Sequence, residues 1–286
     1  MLIAPHPTLV CPHDGASLTS HANSYVCPHG HSFDRAREGY VNLLPVGDKA
    51  SRDPGDSKQM VAARRRFLET GGFEPIATAV AHTALALIIA HASTRPFTIL
   101  DAGCGEGYYL QHLEKQLETV PGEATVHLTG IDISKWAVRA AAKRAVPATW
   151  VVASNRRPPV PPASIDLVLC IFGFPIWPGF ASVQPAGGHV LMIDPGPDHL
   201  LEMREIIYPE VIRRERGAAI TADGYTQVSE HSIHATAHLA TPGVIADLLS
   251  MTPHAHRANM AGQAALATRA TLDVTIDVAL RLFRRT

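Results

Sequence analysis

Two groups of residues in this 286-residue chain have the types and spacing that could do chemistry. The first is Asp101-Ala102-Gly103-Cys104-Gly105-Glu106-Gly107, directly after the apolar run Phe97-Thr98-Ile99-Leu100. A strand that ends in Asp101 and turns through Gly103, Gly105 and Gly107 bares its backbone at the carboxyl edge of a sheet, where open α/β folds bind ligands. The dinucleotide fingerprint Gly-x-Gly-x-x-Gly carries its third glycine one position later. Here the spacing is Gly-x-Gly-x-Gly with an acidic residue two positions ahead, which favours S-adenosylmethionine over NAD. Asp132 ends the next strand-like run, Leu128-Thr129-Gly130-Ile131-Asp132, where a carboxylate can accept both hydroxyls of a ribose. Ala153-Ser154-Asn155 follows a third run and offers small and polar groups to an adenine edge. The expected cofactor set is therefore Asp101, Gly103, Gly105, Gly107, Tyr108, Asp132, Ala153 and Ser154. After a fourth run, Phe172-Gly173-Phe174-Pro175 stands where the acceptor would meet the cofactor; an apolar edge sealing the core is the competing reading.

The second group is Cys11-Pro12-His13-Asp14 with Cys27-Pro28-His29-Gly30-His31, whose cysteines are sixteen positions apart. That gap suits a small zinc-ribbon-like finger with two ligand-bearing turns. Tetrahedral zinc takes four ligands. Cys11, Cys27 and His31 supply three, and Asp14 fills the last place of a Cys-x-x-Cys knuckle as a weaker oxygen ligand. His13 or His29 could substitute, and a finger held by packing alone is the alternative.

Elements must position both groups. Asp56 and Gln59 resemble a capping box opening a helix from Ser57 to Thr70, and a second helix spans Pro75 to His91. From 97 onward strand and helix alternate: strands at 97–100, 125–131, 149–152, 165–171 and 188–193, helices at 107–118, 134–145 and 198–212. A strand at 226–238, a helix at 242–250 and a strand at 272–284 follow, the two strands able to pair antiparallel at the sheet edge. This pattern implies a Rossmann-like α/β domain with a mostly parallel, seven-stranded sheet. The expected organisation is a finger-like module at 1–50, a helical region at 51–95 that packs on the cofactor domain, and the cofactor domain itself at 96–286. Residues 1–50 carry only short apolar runs, so they need a metal or a neighbour to hold them.

Composition bounds the rest. With 46% hydrophobic residues the chain can bury one large core, and a formal net charge of −1 advertises no polyanion partner. Four cysteines are too few for a disulfide scaffold. Met1 to Val10 does not resemble a secretory signal, and Ala77 to Ala92, the most apolar stretch, falls short of the roughly 20 residues that cross a bilayer. The chain reads as cytoplasmic, with no membrane partner.

With these pieces located, the chain resembles the bacterial 23S rRNA (guanine-N1-)-methyltransferases, the family that includes the tylosin and mycinamicin resistance enzymes. The resemblance runs through Ser24-Tyr25-Val26-Cys27-Pro28, Glu38 to Pro45, Ser51 to Ser57, Asp101 to Tyr109, Gly130-Ile131-Asp132, Pro195-Gly196-Pro197 with His199-Leu200, Ile207-Tyr208 and Met251-Thr252-Pro253. It implies a class I methyltransferase domain, a zinc-bearing module that binds an rRNA hairpin, and a homodimer whose subunits frame the RNA. The chain departs from the pattern at Asp14, where a zinc cysteine is expected, and at His254 and His256, where bulky aromatics are usual. Pro185-Ala186-Gly187-Gly188 is a variant of a Pro-Gly-Gly turn. No catalytic base is identified; His254 and His256 are candidates by position. Arg35, Arg37, Lys49, Arg52 and Arg64-Arg65-Arg66 are the expected RNA-backbone contacts, against the reading that they are ordinary solvated charges. Two other functions compete: a small-molecule methyltransferase whose RNA and zinc module has decayed, and a non-catalytic RNA-binding protein.

Overall fold

Strands covered on both faces must be buried throughout, and three runs meet that demand without a break. In chain order the strands are β1 (Leu2–Pro5), β2 (Leu9–Val10), β3 (Ser17–Ser20), β4 (Ser24–Val26), β5 (Ser32–Asp34), β6 (Val41–Asn42), β7 (Phe97–Ala102), β8 (Thr125–Asp132), β9 (Thr149–Val152), β10 (Leu167–Ile171), β11 (His189–Pro195), β12 (Tyr225–Leu239) and β13 (Leu272–Arg285). The helices are α1 (Lys58–Glu69), α2 (Glu74–Ala90), α3 (Tyr108–Glu118), α4 (Lys135–Ala141), α5 (Trp177–Val183), α6 (Leu201–Ile207), α7 (Pro242–Ser250) and α8 (Met260–Ala267). Every residue of β7, β9 and β10 is buried, as a parallel sheet with two covered faces requires. The computed structural model describes residues 1–48, 51, 53–91, 93–122, 124–213 and 220–286, so Lys49 and Arg52 lie outside the described residues.

The large sheet runs β12-β13-β11-β10-β7-β8-β9-β6. All neighbours pair parallel except β13, which is antiparallel to both β11 and β12. The expected mostly parallel sheet with an antiparallel C-terminal strand is present. Two short N-terminal strands enlarge it. β6 pairs with β9, and β1 pairs with the first half of β8 (Leu2 opposite Thr125) while β9 takes the second half (Asp132 opposite Val152). β7 and β10 lie side by side although the chain between them visits β8 and β9, so the sheet order reverses at β7. That reversal opens a crevice at the carboxyl ends of the strands.

The small sheet β2-β3-β4-β5 is antiparallel and is not separate from the large one in its packing. Leu9, Cys11, Leu18 and Cys27 are buried in one cluster with Leu100, Ile131 and Val151 of the large sheet. A ribbon too small to make a core thus shares one.

Several boundaries move for local reasons. The helix expected over 198–212 is confined to Leu201–Ile207, because Tyr208 precedes Pro209 and is extended (φ −118°, ψ 139°). Ser57, not Asp56, caps α1, its hydroxyl accepting from Met60 N; the Asp56 carboxylate goes to Arg64 instead. Two helices escape the pattern. α5 has seven residues, and α8 is Ala/Gly-rich with little periodicity, started by Asn259, whose side-chain oxygen accepts from Gly262 N. No single helix among the described residues is long and apolar enough to cross a membrane.

Candidate functional site

The crevice at the sheet reversal is a cleft of about 430 Å³. Gly103, Gly105, Tyr108, Asp132, Ala153 and Ser154 line it, together with Phe172, Gly173 and Phe174. Of the expected cofactor set, Asp101 and Gly107 stand behind this wall. The loop is pinned by backbone: Gly103 N and Cys104 N both donate to Ile131 O at 2.9 Å. Gly103 has φ +96°, and nothing lies within 4 Å of where its Cβ would be, so the bare backbone leaves room for a ligand. Gly107 serves packing. At φ +84° it starts α3, and a Cβ there would meet Trp150 at 3.0 Å and Ala141 at 3.1 Å. Behind the loop, Arg144 grips the buried Glu106 carboxylate, donates to Glu106 O at 2.7 Å and to Gln111 Oε1 at 2.6 Å.

Two buried carboxylates stand at the cleft, Asp132 in its lining and Asp101 just behind that lining. Asp101 is 1% exposed and its Oδ2 has no hydrogen-bond partner among the described residues. Burial, reinforced by the nearby Asp132 charge, pushes its carboxyl up to about 8. A cation in the cleft would answer that unmet acceptor. Asp132 accepts from Gly105 N at 3.0 Å and Ser134 N at 2.8 Å, one bond on each oxygen. Each oxygen keeps a further lone pair for a ribose hydroxyl. Burial raises the Asp132 carboxyl as well, and those two N–H groups oppose the rise. The glycine cradle, the orphaned Asp101 oxygen and the half-committed Asp132 together fit S-adenosylmethionine, which carries an ammonium, a sulfonium and a ribose.

Sequence reasoning missed part of the cleft. Gly55, Asp56, Arg64, Phe73, Tyr109 and Met251 also line it, and most come from segments remote from the glycine loop. Arg64 pairs with Asp56 and donates through Nη2 to Met251 O at 3.1 Å, so it ties α1 to the end of α7 across the cleft. The sequence signals were the Ser51 to Ser57, Asp101 to Tyr109 and Met251-Thr252-Pro253 stretches, none of which said that these residues face one cleft.

The expected RNA-contacting arginines divide. Arg64 belongs to the cofactor cleft, Arg65 pairs with Glu69 at 2.8 Å, and Arg66 holds Asp247 of α7 through two hydrogen bonds. The run Arg64-Arg65-Arg66 is thus engaged within the fold. Arg35 donates to Ser20 Oγ at 2.9 Å and lies over the Tyr25 ring, while Arg37 is exposed. His256 is exposed in a short 3₁₀ turn, and His254 Nδ1 lies 2.8 Å from the Tyr208 hydroxyl.

In the small sheet, one ligand atom each from Cys11, Asp14, Cys27 and His31 lies within 4.8 Å of the others. Two tight turns bring them there, closed by Gly15 N to Cys11 O at 2.9 Å and Gly30 N to Cys27 O at 3.0 Å. His31 Nδ1 is 3.4 Å from Cys11 Sγ, 3.3 Å from Cys27 Sγ and 3.0 Å from Asp14 Oδ2. Around tetrahedral zinc, bonds of about 2.0–2.3 Å put neighbouring ligand atoms about 3.3–3.8 Å apart. The His31–thiol distances and the 3.4 Å between Cys27 Sγ and Asp14 Oδ2 fall in that range, and the His31–Asp14 pair is slightly closer. His29 and His13 take outer places: His29 Nδ1 is 2.9 Å from Asp14 Oδ2, and the His13 ring packs on His31 at 4.8 Å. Ala16 N, first, and His29 hold the Asp14 carboxyl well below the usual carboxylate range, so it is ionised when a metal arrives. A second pocket, about 280 Å³, lies between this knuckle and the Arg157-Pro158-Pro159 loop, and Ser154 lines both pockets.

Comparisons with known proteins agree with both halves. The N-terminal zinc-ribbon domain of RlmA matches residues 9–52, and a methyltransferase domain matches residues 99–182. The chain is 32% identical to YxjB of Bacillus subtilis, provisionally named a 23S rRNA (guanine-N(1)-)-methyltransferase, over 94% of each chain. It is 30% identical, over 97% of each, to a protein of Micromonospora griseorubida with the same provisional name. It is 34% identical to the 23S rRNA (guanine(748)-N(1))-methyltransferase of Streptomyces fradiae, over 68% of this chain and 66% of that one. With 32% and 30% identity to such proteins over nearly its whole length, the chain belongs to the 23S rRNA (guanine-N1-)-methyltransferase family.

Proposed function

We propose that the protein transfers the methyl group of S-adenosylmethionine to N1 of a guanine in a hairpin of 23S rRNA, and that Cys11, Asp14, Cys27 and His31 hold a structural zinc ion. One observation carries the reading: the cofactor cleft and the metal cluster meet at a shared wall, with Ser154 lining the pocket on each side. The cofactor, when bound, supplies an electrophilic methyl on a cationic sulfur. Asp132 orients its ribose, Ala153 and Ser154 border its adenine, Asp101 lends negative charge to its positive end from just behind the lining, and Arg64, paired with Asp56, offers a cation to its carboxylate. Guanine N1 lies on the Watson–Crick edge, so the target base must be unpaired or extruded from its stack to reach the Phe172-Gly173-Phe174 rim. The fold's contribution is then alignment of N1 with the methyl, a gain of proximity. The protein acts as a homodimer in this reading, which light scattering tests.

Asp14 in a cysteine position favours a second reading, a small-molecule methyltransferase with a decayed ribbon. The four ligand atoms still converge, which counts against decay. Primer extension on 23S rRNA from cells with and without the protein decides between them. N1 methylation blocks pairing, so one new stop is expected; no stop, with label from tritiated cofactor entering a metabolite extract, would overturn the rRNA assignment.

A further inference from the structure

Where β11 ends at Pro195, β13 continues, and its inner edge would be left with open backbone groups. The Pro195-Gly196-Pro197-Asp198-His199-Leu200 turn takes over that edge. Gly196 N donates to Asp277 O at 2.7 Å, Leu200 N donates to Thr275 O at 2.7 Å, and between them Asp277 N donates to His199 Nδ1 at 3.3 Å. Leu200 pays for this turn with a left-handed backbone (φ +56°), a conformation that only Gly adopts freely. A backbone N–H can only donate, so Nδ1 must be the acceptor and the imidazole proton must sit on Nε2.

The ring is placed beside the cofactor cleft. It is 8% exposed and stacks on Phe172 (centroids 5.6 Å apart, 27° between planes) and against Phe73 at 5.8 Å, and both phenylalanines line the cleft. Phe172 is itself left-handed at φ +53°, directly after β10, so two strained residues hold this aromatic stack. No group among the described residues takes His199 Nε2, and the atom is not among the buried polar atoms that lack a partner, so it opens to reachable space. Burial holds the imidazole down to about 4, and the ring is neutral at working pH.

Resting on the rRNA assignment above, we infer that His199 is a specificity-determining and catalytic residue: its fixed Nε2–H donates to O6 of the acceptor guanine. Methylation breaks the N1–H bond, with the proton passing to water, forms the N1–C bond and leaves the old S–C pair on sulfur. As the proton departs, negative charge spreads from N1 onto O6, and a preset donor there stabilises the change. The same donor rejects adenine, whose C6 amino group would bring a second donor against it.

The test uses the full-length protein and an RNA hairpin containing the substrate guanine. His199→Phe keeps the aromatic stack and removes both the Nε2 donor and the Nδ1 acceptor of Asp277 N; His199→Gln keeps a donor and an acceptor on a flexible stem. Loss of one oxyanion-type donor costs about 10²–10³ in kcat. The expectation is that loss for His199→Phe, at unchanged cofactor affinity, with His199→Gln recovering at least tenfold of it. A hairpin with inosine at the target, which keeps O6, is methylated by the natural protein, and one with adenine is not. Activity of His199→Phe within threefold of the natural protein would overturn the inference and leave the ring a packing element. If the natural protein makes no 1-methylguanine in any RNA, the rRNA assignment fails first, a result the variants cannot mimic.

Discussion

The cofactor cleft and the metal cluster are both built at turns, from opposite resources. The cleft is made by backbone: glycines clear its floor, Ile131 O anchors its loop and buried strands on each side fix both. Its shape is set by contacts among the protein's own backbone groups. The cluster is made by side chains: two thiols, a carboxylate and an imidazole within 4.8 Å, gathered by two tight turns of the small sheet. Groups that bind as thiolate and carboxylate repel when gathered, and a cation converts that repulsion into cohesion. The cleft should therefore tolerate loss of its ligand, and the ribbon should not.

The largest expected effect separates the two. Cys27→Ser removes a zinc ligand, and RNA methylation is expected to fall ~100-fold or more, because metal binding energy is folding energy in such modules. Cofactor affinity by calorimetry should stay within about threefold, since the glycine loop does not depend on the ribbon's ligands. Equal losses of both would erase the contrast.

Asp101→Asn probes the other side. The change removes the proposed charge-assisted pairing of this carboxylate with the cofactor's cation, worth about 1.5–3 kcal/mol, so affinity is expected to drop ~10- to 100-fold. The same change should stabilise the empty protein at high pH. Burial raises the Asp101 carboxyl to about 8, so its stabilising contribution is intact below the ordinary carboxylate range and is lost as pH climbs through about 8. Above that pH the Asn variant should melt higher than the natural protein, as a thermal scan at pH 9 would show.

The third effect is the pH course of binding. A cation needs Asp101 ionised, so cofactor affinity should rise about tenfold per unit below about 8 and level off above it. A flat profile from pH 6 to 9 would mean that the carboxylate does not face the charge.

Smallest is Asp14→Cys. A thiolate suits zinc better than a carboxylate oxygen, so the variant should lose metal to a chelator about tenfold more slowly while methylating RNA within about twofold of the natural rate. Faster metal loss would show that the His29 bond to Asp14 contributes more than the sulfur would.

Legibility in the sequence followed the same division. The glycine loop and Asp132 could be read because the backbone demands those residue types at those spacings, and the four cluster residues because metals demand theirs. Arg64 was read as an RNA contact because an arginine triplet covers a wide arc of a helix and does not say which member faces Asp56. Phe73 and Met251 reach the cleft from well before the loop and from the far end of the chain, a proximity that only the sheet order creates. His199 was quoted for its resemblance alone; its role depends on where β11 stops, and strand ends are the least readable features of a chain.

β1 has a consequence for how the molecule is made. Leu2 and its neighbours are synthesised well before their partners, Thr125 to Leu128. At about 5–20 residues per second, that strand waits several seconds or more on the ribosome for a mate. The β2–β5 ribbon lies between them in the chain, and its contacts are local enough to close during the wait if zinc is at hand. Metal supply during translation would then govern yield: in zinc-starved cells the newborn ribbon would stay open, exposing Leu9 and Leu18 to aggregation before the sheet that buries them exists.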